Sequence, residues 1–435
     1  MSVDVSRAPV DEPAPSQDSS PVSTKRISWR VPISYLLLTL ALGTMWLNAE
    51  GNTTFSLKGG TDDSFEIPDF AVDSQTVCLI LTIVSVLATA YAFARAVKRK
   101  KTGVLPAIAV GVSVVLGIFA WYGGGADSSV TLTLLLVSGL TSSTPLIFGS
   151  LAGIVSERVG IVNIAIEGQL LVGAFVGVVV ASWWQNVWLG IIAAPLAGAL
   201  VGSILAFFAI RYNVDQIIVG VVLNVLALGL TSFFLSTEPF KENKINLNSS
   251  VFSLDRIPIP GLSDIPIVGT VLFNQTVLTY FMYLVIALLT VYLYRSRWGL
   301  RLRACGEHPK AAATVGINVR ATRFRNSLLA GAIAGLGGAY LTIAADIGHE
   351  FNNDLSAGKG YIALAAMILG KWNPLGAVAA SLMFGFAEAT AILLPTLDSG
   401  APDSLINMIP YAITIFAVAG FVGKSRPPAA ENKPY

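Results

Sequence analysis

Long apolar runs separated by short polar loops dominate the chain from Val31 onward. Candidate spans fall at about 31–49, 75–94, 103–122, 130–152, 161–182, 187–210, 214–236, 276–294, 326–345, 374–394 and 404–422. A shorter run at 360–370 is broken by Lys371, Asn373 and Pro374. Eleven residues at 1.5 Å each reach roughly 16 Å, about half of a ~30 Å hydrocarbon core, so this run predicts a half-helix or re-entrant piece. Backbone groups find no water in lipid, and helices satisfy them within one segment. No alternating ten-residue strand pattern points to a barrel. The expected fold is all-α, a polytopic integral membrane protein with about 10–12 transmembrane helices.

Composition agrees. Of 435 residues, 54% are hydrophobic and 12% charged, against roughly 25% charged in soluble domains. Residues 1–27 are rich in Pro, Ser, Asp and Ala and read as a disordered tail. The long polar leader and the 19-residue first span favour an uncleaved helix over a signal peptide. Basic residues cluster at Arg95–Lys101 and throughout 295–325, whereas Glu50, Asp62, Asp63, Glu66, Asp69 and Asp73 follow the first span. By the positive-inside rule the basic loops, and with them both termini, are cytoplasmic. The expected domains are the tail at 1–27, additional N-terminal helices at 28–125, a core at 126–424 containing the loop 295–325, and a cytoplasmic tail at 425–435. The outer segment Thr237–Gln275 reads as a lid, a docking surface or a plain connector. A loose likeness between 160–182 and 360–384 hints at duplicated halves.

Candidate chemistry is narrower. Cys78 and Cys305 lie in separate segments, and His308 and His349 fall on opposite sides, so neither a disulfide framework nor a metal centre is expected. No cofactor or nucleic acid is called for. A P-loop would need a glycine where Val418 precedes Gly423-Lys424-Ser425, so ATP use must come from a partner. Ionisable groups in or near the spans are Glu157, Arg158, Glu167, Asp215 and Glu388, thin for an ion-coupled carrier.

In the stretch Ser156–Gln169, Asn163 and Glu167 stand four apart and would share a helix face, bracketed by Gly160 and Gly168. They line a solute path at a helix break, or Glu167 pairs with Arg158 or caps backbone N–H groups. Gln216, Gly220 and Asn224 form a second stripe, either pore lining or interhelical glue. Small-xxx-small pairs such as Gly198/Gly202 and Gly331/Gly335 signal close packing. In the basic loop, Glu307-His308-Pro309 starts and Gly316 stops a short helix containing Ala311 and Ala312, suited to a groove on another protein. The bland reading is a basic loop at anionic headgroups of the membrane lipid.

These segments together resemble the permease subunits of ABC importers of the branched-chain amino acid and ribose type, most of all bacterial nucleoside-import permeases. Four blocks carry the resemblance: Ser156–Phe175 (SERxGIVNIxxEGxxLxGAF), Asn213–Leu230 (NVDQIIVGVVLNVLALGL), Gly299–Tyr340 with GEHPKAAxxxGINV and GLGGAY, and Gly358–Glu388. It covers about 130–424 and implies a type II ABC importer-like permease. It further implies a coupling helix within Gly306–Gly316 that docks on a separate ATPase subunit, a second permease subunit, identical or paralogous, and an extracytoplasmic substrate-binding lipoprotein. Substrate would pass near Asn163, Glu167, Gln169, Gln216 and Asn224, in a multi-pass protein of the bacterial cytoplasmic membrane. The first three spans lie outside the likeness, and Glu388 stands where a neutral amide is expected. A simple-sugar permease, an ion-coupled carrier using Glu167 or Glu388, and a membrane enzyme are the alternatives. The last finds no His, Asp or Arg constellation to support it.

Overall fold

The computed structural model describes residues 29–58, 68–100, 102–124, 129–237, 254–344, 351–397, 408 and 426–435. Its helices are α1 (Arg30–Leu47), α2 (Ser74–Val97), α3 (Leu105–Tyr122), α4 (Leu132–Arg158), α5 (Ile166–Trp184), α6 (Val187–Arg211) and α7 (Gln216–Leu235). After these come α8 (Val277–Arg295), α9 (Arg297–Glu307), α10 (Pro309–Thr314), α11 (Val319–Ala339), α12 (Lys359–Leu369) and α13 (Pro374–Leu393). Among the described residues, ten helices are long and apolar enough to cross a membrane. The expected tail at 1–27, the expected span at 404–422 apart from Met408, and His349 lie outside the described residues.

Local chemistry sets the boundaries. Asp73 accepts from the Thr76 N–H at 2.8 Å, Asp215 from Ile217 at 2.8 Å and Asn318 from Ala321 at 3.0 Å, capping α2, α7 and α11. Asn373 caps α13, with Pro374 at its first position. The structure lengthens two spans. α4 runs on through Glu157 and Arg158, and α11 begins at Val319 and includes Arg320, Arg323 and Arg325. Apolar runs mark where a helix meets lipid, not where it ends, so charged turns beyond the hydrocarbon escape them. The 360–370 run is an isolated 11-residue helix, α12, too short to cross.

The all-α expectation gains two small sheets. β1 (Asn52–Ser56) pairs antiparallel with β2 (Phe70–Asp73) and parallel with β3 (Val130–Thr131), while β4 (Arg256–Pro258) pairs with β5 (Asn274–Thr276). The first sheet gathers the residues just after α1 and those just before α2 and α4 at one end, the sheet end. Arg158, Arg211, Arg295, α9 and α10 lie at the other, the basic end.

α11 is the central element, packed on α4, α5 and α6. Its seam with α6 is backbone on backbone. A methyl group on Gly331 would collide with the Gly198 carbonyl oxygen, and one on Gly335 with the Ala194 carbonyl oxygen. α4 carries the main core through Phe148, Leu151, Ile154 and Val155, all fully buried. α1–α3 form a separate cluster with the first sheet, joined to the rest by Ala389, Ala391, Leu394 and Leu397. Inside it the Thr39 hydroxyl bridges Ser85 at 2.7 Å and Thr89 at 2.9 Å.

Candidate translocation core and basic-end surface

α4 ends because Gly160 takes a left-handed conformation (φ +95°), and the chain stays non-helical until Ile166. Its backbone groups in this stretch need other partners, and α7 supplies them. The Val162 N–H donates to Gln216 Oε1 at 2.7 Å. Asn224 donates to the Ile164 carbonyl at 2.9 Å and accepts from the Gly168 N–H at 2.8 Å. Asn163 and Gln169 pair their amides at 3.1 and 3.2 Å. The shared-face reading of Asn163 and Glu167 therefore fails, because Asn163 sits in the break and helical spacing does not apply there. Gln216 and Asn224 do share a face of α7, turned toward the break, with Gly220 tight against Ile164.

Glu167, at the first turn of α5, accepts from the N–H groups of Gly358 at 2.8 Å and Gly360 at 2.5 Å. Its carboxylate thus caps α12 rather than its own break. Arg158, the partner that the sequence offers it, instead donates to the Trp372 carbonyl at 3.0 and 2.9 Å. The Trp372 indole N–H donates to Glu157 Oε2 at 2.6 Å. So α12 is held at both ends, its start by Glu167 of α5 and the turn after it by Glu157 and Arg158 of α4. Asn224 extends the network to the Tyr361 hydroxyl at 3.0 Å.

Sequence reasoning missed two features. Lys359 belongs with the ionisable groups of the spans, because it pairs with Glu388. An acidic residue in place of an expected amide was the signal to look for a cation nearby. The second is the C-terminal segment, which folds back onto the basic end. Ala430 N–H donates to the Gly306 carbonyl at 2.8 Å and Ala429 N–H to Glu307 Oε2 at 3.3 Å. Arg323 donates to the carbonyls of Lys433 at 2.9 Å and Ala430 at 3.3 Å, and Asn432 reaches Asp215 at 3.4 Å. These are mostly backbone contacts, which no side-chain pattern announces.

This strap lies beside α10. Pro309 begins α10, and Gly316 (φ +84°) turns the chain away. Gly306 and Ala312 are buried, Gly306 against the Arg158 carbonyl, whereas Glu307, His308, Lys310, Ala311 and Val315 are exposed. The exposed side of the 306–316 segment is therefore narrower than the sequence match, with Val315 74% exposed.

Glu431 enters the strap's buried side next to Glu157 on α4, with Glu307 on α9, Arg323 on α11 and Asp215 before α7 around the strap. Burial pushes its carboxyl from the ordinary 4.5 up to about 7. A raised carboxyl binds its proton more tightly in the docked state, so the contribution of Glu431 to docking is full below pH 4.5 and is lost as pH rises through about 7. Hydrogen exchange should show protection factors of the 429–433 amides falling about tenfold between roughly pH 5.5 and 8, as that proton is lost. Glu431→Gln should flatten that dependence; an unchanged slope would refute the assignment to Glu431.

Residues 135–418 match the family described as branched-chain amino acid transport system / permease component. The nucleoside ABC transporter permease protein NupC of Lactococcus lactis subsp. cremoris is 41% identical over 315 residues, 70% of this chain and 97% of the relative. The guanosine ABC transporter permease protein NupQ of Bacillus subtilis is 38% identical over 314 residues, again 70% and 97%. The putative glucose ABC transporter permease protein TsgC13 of Haloferax volcanii is 32% identical over 301 residues, 65% and 89%. No solved structure matches the chain. The apolar helices and these matches define a multi-pass cell-membrane permease. Within that class the chain belongs to the branched-chain amino acid transport system permease family, with α1–α3 outside the matched segment.

Proposed function

We propose that this chain is the transmembrane permease subunit of an ATP-driven nucleoside importer. The observation that carries the reading is the 41% identity across 97% of a nucleoside ABC transporter permease. ATP would be hydrolysed by a separate subunit, since the chain has no P-loop. The partners of the reading are that ATPase, a second permease, identical or paralogous, and an extracytoplasmic binding lipoprotein.

The basic end is then cytoplasmic, and the exposed side of α10 is the coupling surface. Asn163, Gln169, Gln216 and Asn224 hold the break in shape, and Glu167 anchors α12 to it. Together they form the frame of the solute path. An ion-coupled carrier is the weaker reading, because Glu167 spends both oxygens on amides and Glu388 is neutralised by Lys359. Transport of a sugar is favoured by the names of two relatives, at 32% and 27% identity.

Ala311→Trp with Val315→Asp changes only exposed positions. It should cut uptake of labelled nucleoside at least about tenfold, the loss of roughly 1.4 kcal/mol of coupling, while membrane abundance stays normal. Ala312→Trp, at a buried position, should instead lower abundance. Wild-type uptake by the first variant would exclude α10 from coupling.

A further inference from the structure

Lys359 and Glu388 form an ion pair whose side chains remain 16% and 25% exposed. Both lie deep in the span. Lys359 opens α12, roughly 16 Å from its basic-end turn, and Glu388 is fourteen positions beyond Pro374, about 21 Å along α13. Neighbouring contacts agree: Ser381 meets Ser150 at 3.2 Å, and Gly385 lies against Ser143, near the middle of α4. Partly exposed charges at that depth do not face hydrocarbon, where each is costly; they face a water-filled cavity or protein.

A second observation selects water. The chain reaches Lys359 through a turn-rich, non-helical stretch, 351–358, in which Asn352, Asn353 and Asp354 are exposed. Phe351 packs edge-on to Phe175 at 5.2 Å, and Asn353 accepts from Ser232 near the sheet end of α7. The stretch thus descends from the sheet end to mid-membrane. Irregular backbone at membrane depth persists only where protein buries it or water bathes it; the exposed Asn352, Asn353 and Asp354 open the stretch to water at the sheet end, and Ala357, two residues before Lys359, is exposed as well.

Lys359 and Glu388 therefore stand at the floor of an aqueous descent. Among the described residues, Glu388 Oε1 takes the ammonium, while Oε2 and two ammonium hydrogens have no partner. A carboxylate with a free oxygen, braced by a cation, accepts from adjacent hydroxyl groups, and the ammonium donates to the hydroxyl oxygens. Resting on the proposed function, we infer that Lys359 and Glu388 form the subsite that engages the vicinal 2′- and 3′-hydroxyls of a ribonucleoside during its passage. The pair sets preference for ribosides, whereas the nucleobase is read elsewhere.

The test uses cells in which the resident gene encodes wild-type chain, Glu388→Gln, or the exchange Lys359→Glu/Glu388→Lys. Initial uptake of labelled uridine is compared with that of 2′-deoxyuridine and 3′-deoxyuridine, and membrane abundance is measured by immunoblot. Wild type should favour uridine by about tenfold or more, as a site built to bind hydroxyls does. Glu388→Gln should reduce that ratio severalfold at normal abundance. The exchanged pair should keep abundance but not restore the ratio, because the acceptor has moved to the other helix. Restoration of wild-type uptake and ratio by the exchange would show a structural brace and overturn the inference. So would an unchanged ratio in Glu388→Gln. If wild type takes up none of the three nucleosides, the proposed function falls as well, which separates the two failures.

Discussion

Glu167→Ala is expected to abolish transport and sharply lower the unfolding temperature of the purified protein. Glu167 is 7% exposed, and its carboxylate accepts from Gly358 and Gly360 at the start of α12. Each hydrogen bond to a charged group contributes about 1.5–3 kcal/mol, so losing both costs roughly 3–6 kcal/mol. Gly360 is buried at the mid-membrane start of α12, so its N–H is left without an acceptor, while the half-buried Gly358 regains part of its bond from water in the stretch before it. Glu167→Gln keeps one acceptor oxygen and should fall between alanine and wild type. Gly360→Ala tests the same junction from the other side, since its methyl would collide with the Glu167 backbone nitrogen. Thermal unfolding in detergent and cellular uptake provide the readouts. Wild-type stability in Glu167→Ala would refute the capping role.

Gly331→Leu should prevent accumulation of folded protein altogether. Gly198 and Gly331 lie so close that a methyl on either meets the other's carbonyl oxygen, and Gly202 would place one 2.5 Å from the Ser327 carbonyl. Helices in lipid associate chiefly through such packing, since burial from water no longer drives it. A leucine must therefore push α6 off α11, at a cost of at least about 3 kcal/mol, the upper end for overpacked sites. Gly331→Ala should cost about 1–3 kcal/mol. Gly229 is the internal control: nothing lies within 4 Å of a methyl there, and its alanine variant should accumulate normally. Detergent-extracted yield and monodispersity on size exclusion distinguish these outcomes. Equal yields from Gly331→Leu and Gly229→Ala would contradict the seam.

The ten described spans were legible because hydropathy acts over twenty residues, and even the shortness of α12 followed from its length alone. The start and stop of α10 were legible too, since Pro309 and Gly316 act locally. Asn163 was misplaced because a periodicity argument assumes one continuous helix, and Gly160 ends it. Glu167 was recognised as a group needing a partner, but that partner is the backbone nearly two hundred residues away, which spacing cannot reveal. Lys359 went unnoticed because it lies at the edge of an apolar run and becomes meaningful only when α13 brings Glu388 beside it. The strap at 426–435 reads as a polar tail because its attachment is through main-chain groups. α1–α3 form their own small core, evident as helices but not as a unit stapled by β1–β3.

The central claim is that the chain passes nucleosides through the membrane at the expense of ATP hydrolysed by another subunit. Initial uptake of labelled guanosine and uridine, in cells with and without the gene, tests it most directly when the proton gradient is collapsed with ATP held constant and, separately, ATP is depleted with the gradient held. The account predicts gene-dependent uptake that survives loss of the gradient and disappears with ATP. Uptake that follows the gradient and ignores ATP, or that is unchanged without the gene, would contradict it.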